Sequence, residues 1–105
     1  MTDNSLRSTE AGLEAPITQA TGHNNNIVSV YPDRVEIKSG WQGQSVESIH
    51  LRDVSVISIK GLVNCALNIQ NNTGQVYQLT RMALPDARRV KKTIEQQKQM
   101  AGLYD

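Results

Sequence analysis

The sequence of 105 residues contains no phenylalanine and only four aromatic residues, three Tyr and one Trp. Its core must therefore be built from Val, Ile and Leu, which favour strands. No apolar segment approaches the roughly 18 residues of a membrane-spanning helix, and the N-terminus lacks the basic start and apolar run of a signal peptide. We therefore expect a soluble, cytoplasmic, β-rich protein whose length fits one domain.

Cysteine and histidine are also scarce. Cys65 has no partner for an internal disulfide, and with His23 and His50 it matches none of the spacings that hold zinc. We expect Cys65 to pack as a small hydrophobic residue and His50 to point away from the face of Ile49 and Leu51. The sequence also lacks the nucleophile elbow, the phosphate-binding loop and the metalloprotease helix motif. These absences argue against an enzyme, and they predict neither a metal nor a cofactor.

Charge is nearly balanced, with a formal net value of +1. That value is too small for a protein that simply coats nucleic acid, and the sequence has no set of aromatic residues to stack bases. The distribution is uneven, because residues 1–26 hold one basic and three acidic residues whereas residues 81–105 hold six basic and three acidic residues. The C-terminal part is therefore the basic part of the chain.

The clearest predicted element is a β-hairpin within residues 65–81. A three-residue loop, 72–74, pairs Leu67 with Leu79, whereas shorter or longer loops scatter the apolar residues between the two faces. The same loop places Gly74 last, where a three-residue hairpin needs a positive φ. The turn and both strands thus agree on one register.

Further strands are predicted before this hairpin by short β-branched or alternating runs. The runs span residues 27–31, 34–38, 46–51 and 54–60. In the last run the apolar parity switches between Val56 and Ile57, which indicates a bulge or a strand buried on both faces.

Residues 1–26 are polar and have no sustained apolar period, so we predict a flexible arm. The alternative is that Ile17 and its neighbours dock onto the domain or onto a partner. The folded domain is predicted over residues 27–101, followed by a tail at 102–105.

A C-terminal amphipathic helix is predicted from about residue 85 to residue 100, because Pro85 and Asp86 suit a first helical turn. Its apolar stripe consists of Ala83, Ala87, Val90, Ile94 and Ala101. The remaining helix surface carries the charged residues Arg88, Arg89, Lys91, Lys92, Glu95 and Lys98. We expect the narrow stripe to close one opening of a bent sheet.

Three segments in their order carry a family resemblance: VYPDRVEIK, IHLRDVSVISIKG and NTGQVYQLTRMALPDARRVKKTIE. They resemble small bacterial pleckstrin-homology-like domains over residues 27–98. The resemblance implies a mainly β fold, an open β-barrel of six to seven strands capped by one helix, with a role in binding or assembly. Phosphoinositide-binding members need several cations at the first hairpin loop. That loop here, residues 31–34, has one cation and one acid, which argues against the usual lipid headgroup site.

The loop around Trp41 is the first candidate surface. Trp41 lies between glycines, where a tryptophan can anchor a protein partner, and Gln42, Tyr31 and Arg34 complete the predicted partner-binding set. An edge strand of an open barrel can also pair with a peptide or a second copy. The alternative for Trp41 is packing on the core or the rim.

The basic helix surface is the second candidate. Arg88, Arg89, Lys91 and Lys92 form a cluster that can contact the phosphates of a membrane or another polyanion. The alternative is an ordinary solvated helix face. We therefore predict a non-catalytic module that binds a protein partner or itself, with binding of anionic lipid through the helix as the second hypothesis.

Overall fold

A computed structural model describes residues 15–40 and 45–103. Within these ranges the strands are β1 Thr18–Thr21, β2 Ile27–Val30, β3 Arg34–Ser39, β4 Ser45–His50, β5 Val54–Lys60, β6 Asn64–Asn71 and β7 Val76–Ala83. A helix, α1, spans Leu84–Met100. The predicted mainly β fold with a C-terminal helix is confirmed. Residues 1–14 of the predicted arm and 104–105 of the predicted tail lie outside the described residues.

The strands form two antiparallel sheets. The first has the order β1-β2-β3-β4, and the second has the order β5-β6-β7. No ladder joins the two sheets within the described residues, so they do not close into one barrel. Both sheets and α1 share one apolar core, made of Ala20, Val28, Val30, Val35, Ile37, Ile49, Leu51, Val54, Ile57, Cys65, Leu67, Ile69, Leu79, Met82, Ala87, Val90 and Ile94.

The first sheet begins earlier than the sequence predicts. β1 lies within the segment predicted as a flexible arm, and it pairs with β2 so that Ala20 is opposite Val28. Ala20 is buried, and the backbone N–H of Ile17 donates to the carbonyl of Val30 at 2.7 Å. The ordered fold therefore starts before Ile27, because a short strand is stabilised by its neighbour rather than by its own apolar period.

A tight turn between β1 and β2 explains the asparagine run. Asn24 and Asn25 have φ values of 57° and 60°, in the left-handed region that asparagine tolerates better than most residues. The turn packs against β7 in the second sheet, where an added Cβ on Gly22 would lie 2.8 Å from the carbonyl oxygen of Thr80. Glycine at this position therefore allows the two sheets to approach each other.

The hairpin of β6 and β7 has the predicted register, with Leu67 opposite Leu79. The N–H of Asn71 donates to the carbonyl of Gln75 at 2.9 Å, and Gly74 has a φ of 91°. The three-residue loop is confirmed.

Bulges interrupt both outer strands of the second sheet. In β5 the register shifts between Val54 and Val56, which confirms the predicted bulge one residue before the parity switch. In β7 the register shifts opposite residues 65–67, and Arg81 there has a φ of 53°. The apolar pattern of β7 contains a signal of this bulge, because the buried residues Leu79 and Met82 are three positions apart and the apolar parity therefore switches between them.

Helix α1 covers the core with Ala87, Val90 and Ile94, which are fully buried. Ala83 and Ala101, assigned to the same stripe from the sequence, are exposed at the helix ends. The sequence places Lys98 on the charged surface of the helix, and the structure corrects this prediction. Lys98 is buried, with 6% exposure, and its ammonium donates to the carbonyl of Val54. Its position continues the buried spacing, and its long aliphatic stem allows a lysine to lie there.

Substitution of Gly22 by Ala tests the contact between the β1–β2 turn and β7. Since the new Cβ would collide with the Thr80 carbonyl, we expect Gly22→Ala to lower the free energy of unfolding by about 1–3 kcal/mol, as overpacking typically does. The measurement is the midpoint of urea denaturation. The neighbouring exposed residue provides the control, because Thr21→Val is expected to change stability by less than about 0.5 kcal/mol. Equal midpoints for both variants would show that the turn does not pack against β7.

Candidate partner-binding surface

The β2–β3 turn holds two residues of the predicted partner-binding set. The Arg34 guanidinium lies 2.8 Å from the carboxylate of Asp33, 2.9 Å from that of Glu36 and 4.1 Å from the centre of the Tyr31 ring. Tyr31 is only 7% exposed. Planar guanidinium groups both pair with carboxylates and stack on rings, so this cluster stabilises the turn. Because Tyr31 is buried in this cluster, little of its side chain is accessible to a partner.

Trp41 and Gln42 lie outside the described residues. The strands on either side of them are described, and Ser39 of β3 pairs with Ser45 of β4. Arg34 begins β3 and Ser39 ends it, so the two ends are about 17 Å apart at 3.3 Å per residue. Ser39 and Ser45, the paired strand residues nearest to the segment 41–44, thus lie at the other end of β3 from Arg34. In the sequence, residues 41–44 directly precede the first residue of β4.

Strand β4 is the most exposed strand of the first sheet. All four residues from 45 to 48 are exposed, although successive side chains point to opposite faces. Val46 is 50% exposed, and Ile49 is the one buried residue of the strand. Within the described residues, β4 pairs with β3 alone. Both faces and one backbone edge are thus accessible along residues 45–48.

The hydrogen-bond pattern shows which backbone groups lie on the open edge. The N–H of Leu51 donates to the carbonyl of Asp33 at 3.1 Å, just beyond the β3–β4 ladder. Because bonded and non-bonded pairs alternate in an antiparallel ladder, the N–H and C=O groups of Val46, Ser48 and His50 point away from β3. We call these three residues the β4 edge.

Side chains or turns cover parts of the other outer strands. Arg89 of α1 donates to the carbonyl of Gln19 in β1 at 3.0 Å and to the hydroxyl of Thr18 at 2.8 Å. β7 is bulged and contacts the β1–β2 turn, while β5 lies beside α1 and is bridged to it by Lys98. Such bulges and covering side chains protect edges from pairing. β4 has no comparable cover among the described residues.

The basic helix cluster is only partly available for a ligand. Arg89 also pairs with Asp86 at 2.8 Å, so its guanidinium is held by α1 and β1. Lys91 lies 3.9 Å from Glu95 and is partly buried. Arg88 and Lys92 are exposed and make no hydrogen bond or ion pair with other described residues. Two of the four predicted cations are therefore engaged within the fold.

The remaining reactive side chains take structural or solvated positions. Cys65 is fully buried and its thiol donates to the carbonyl of Gly61 at 3.3 Å, which confirms the predicted packing role. His50 is exposed beside buried Ile49 and Leu51, as predicted. In the described parts of the chain, no group of three His, Cys, Asp or Glu residues converges on a point that would hold a metal ion. No helix in those parts is long and apolar enough to cross a membrane.

Comparison of the sequence with models of known protein families finds no match, and comparison with curated proteins finds no significant match. The geometry of the surfaces described above is therefore the basis for inferring function.

Two neighbouring arginines of α1, Arg88 and Arg89, provide a matched test of which cations stabilise the fold. We expect Arg89→Gln to lower the free energy of unfolding by about 1 kcal/mol, because it removes charged hydrogen bonds to β1 at a half-exposed site. Arg88→Gln is expected to change stability by less than about 0.5 kcal/mol. Urea denaturation of both variants measures the difference. A larger loss for Arg88→Gln would contradict the assignment.

Proposed function

We propose that this protein is a non-catalytic, pleckstrin-homology-like binding module that engages a protein partner or a second copy through the β4 edge and the adjoining Trp41 segment. The observation that supports this proposal most directly is a strand exposed on both faces and on one backbone edge. Two antiparallel sheets of four and three strands, followed by one packed helix, are consistent with the family resemblance.

Strand addition uses backbone groups that need no special side chains. An incoming strand would bond to the N–H and C=O groups of Val46, Ser48 and His50, each bond contributing about 0.5–1.5 kcal/mol net. Trp41 would add apolar contact at one end of the paired strands, where the segment 41–44 meets β4. In this arrangement the β4 backbone would provide affinity, and the Trp41 segment would provide selectivity.

Proline at position 48 tests the β4 edge directly. The Ser48 N–H points away from β3, so Ser48→Pro removes a donor from the open edge while the β3–β4 ladder keeps its bonds. We expect Ser48→Pro to weaken partner binding or self-association by about tenfold or more, measured by light scattering and pull-down with the full chain. Circular dichroism should show that the fold is retained.

Two further variants complete this experiment. Ser48→Ala keeps the backbone donor and should bind like the unmodified chain, whereas Trp41→Ala should weaken binding without changing the fold. Unchanged binding by Ser48→Pro would exclude the β4 edge. A strictly monomeric chain that captures no protein and shows measurable turnover would exclude the proposed function as a whole.

Self-pairing through β4 has one long register without a clash of like charges. In an antiparallel pair of two copies, the residues of the β4 edge must form the hydrogen-bonded pairs. A two-fold axis beside Ser48 therefore places Val46 of one copy opposite His50 of the other, and Glu47 opposite Ile49. An axis at Glu47 would place two carboxylates opposite each other, which is destabilising. A second copy is therefore expected to pair with Ser48 next to its own counterpart.

Disulfide trapping tests that register. Opposed bonded residues have Cα atoms about 5.5 Å apart, within the range a disulfide spans, so Ser48→Cys should form a covalent dimer under mild oxidation. Native Cys65 is fully buried and does not compete. Val46→Cys is the control, because it keeps the Glu47 carboxylate and its opposite residue in this register is His50. Equal dimer yields from both variants, measured by non-reducing electrophoresis, would contradict the Ser48 axis.

Binding of anionic lipid through α1 is the weaker alternative. It now depends on the exposed side chains of Arg88 and Lys92, since Arg89 and Lys91 have acidic neighbours. Two exposed cations on a helix are also typical of an ordinary solvated surface.

A further inference from the structure

The turn between β5 and β6 exposes two adjacent aliphatic side chains. Leu62 is 81% exposed and Val63 is 80% exposed, the largest exposures among the large hydrophobic residues that the structure describes. The turn is held in place at its base, where the Cys65 thiol donates to the Gly61 carbonyl. We call Leu62 and Val63 the aliphatic tip.

The other turn of the same sheet shows that a hairpin here does not require aliphatic residues. Between β6 and β7 the side-chain oxygen of Asn71 accepts hydrogen bonds from the Thr73 N–H at 3.0 Å, the Thr73 hydroxyl at 2.7 Å and the Gln75 N–H at 3.0 Å. That turn is polar and satisfied by its own groups, as turns usually are. Exposed Leu and Val in the β5–β6 turn therefore point to a surface that removes them from water.

The charged residues of the second sheet and its turns all have a positive charge. Residues 54–83, which make up the second sheet and its turns, contain no acidic residue, and their charged residues are Lys60 and Arg81. Lys60 is opposite Ala66 in the ladder, and the bulge that contains Arg81 lies on the other side of the same part of β6. Both cations are exposed and flank the strand that leads from the tip.

The acidic residues nearest to this sheet in the sequence do not cancel that charge. Asp53 lies at the opposite end, where its carbonyl accepts from the N–H of Asn72 in the polar turn at 2.9 Å. Asp86 pairs with Arg89 at 2.8 Å. Among residues 54–83, the end of the sheet with the aliphatic tip is therefore both apolar and cationic.

We propose that the aliphatic tip docks this domain on an anionic phospholipid bilayer. Leu62 and Val63 enter the interface between headgroups and acyl chains, while Lys60 and Arg81 contact headgroup phosphates. A bilayer has an apolar layer directly beneath an anionic headgroup layer. The protein matches this order, because its apolar tip projects beyond the two cations that flank it. A convex tip also needs no preformed pocket in a lipid surface. The site is in the second sheet, so it is separate from the β4 edge.

Vesicle sedimentation with the full chain tests this proposal. We expect the protein to bind phosphatidylcholine vesicles that contain phosphatidylserine, and to bind pure phosphatidylcholine vesicles weakly. A double variant, Leu62→Asn with Val63→Asn, should reduce binding by about tenfold or more, since both apolar contacts are lost. Lys60→Gln with Arg81→Gln should reduce binding and remove its dependence on salt.

Two controls separate the tip from other surfaces. Val46→Asn makes the same kind of change at a half-exposed valine of the β4 strand and should leave vesicle binding unchanged. Arg88→Glu with Lys92→Glu tests the helix surface and should have a smaller effect than the tip variant. All four positions of the tip and its cations are exposed, so circular dichroism should show an unchanged fold.

The outcomes decide the proposal. Loss of binding in the tip variant, with normal binding by Val46→Asn, would support it. Failure of the unmodified chain to bind anionic vesicles would overturn it, and so would binding that depends only on Arg88 and Lys92. Capture of a protein partner that the tip variant loses, without vesicle binding, would assign the tip to a protein pocket instead.

Discussion

Packing of α1 across the gap between the two sheets is the interaction on which the domain depends. No ladder joins the sheets in the described parts of the chain, so their association relies on buried side chains such as Val90 and Ile94. The helix contacts strands of both sheets. Two long cations strengthen this packing, because Arg89 bonds to the backbone of β1 and Lys98 bonds to the backbone of β5. A single helix thereby fixes the relative position of both sheets.

The same helix influences which surfaces remain available for binding. By covering β1 and bridging to β5, it leaves β4 as the outer strand with the least cover among the described residues. The β1–β2 turn has a related effect on β7, since Gly22 allows close approach at Thr80. The two proposed binding surfaces are therefore the backbone edge of β4 and the exposed side chains of Leu62 and Val63.

Local patterns predicted the elements whose stability comes from neighbours in sequence. The 65–81 hairpin was predictable because turn length, glycine position and apolar alternation all required one register. The β5 bulge and the α1 span were predictable for similar reasons of parity and helical period. β1 was not, because its four residues have no apolar period and become ordered only through β2. The β7 bulge at Arg81, in contrast, does mark the sequence, because buried Leu79 and Met82 are three residues apart and the apolar parity switches between them.

The candidate sites also combine features that local sequence determines with features that only tertiary packing determines. The sequence by itself determined that the chain builds a Val-, Ile- and Leu-rich sheet with a basic helix after it, since composition and periodicity are local properties. Only the tertiary structure decided that Tyr31 and Arg34 stabilise a turn, that Arg89 covers β1 and that β4 stays open. These outcomes depend on distances between residues far apart in the chain, because accessibility and hydrogen-bond partners are set when separate elements pack together.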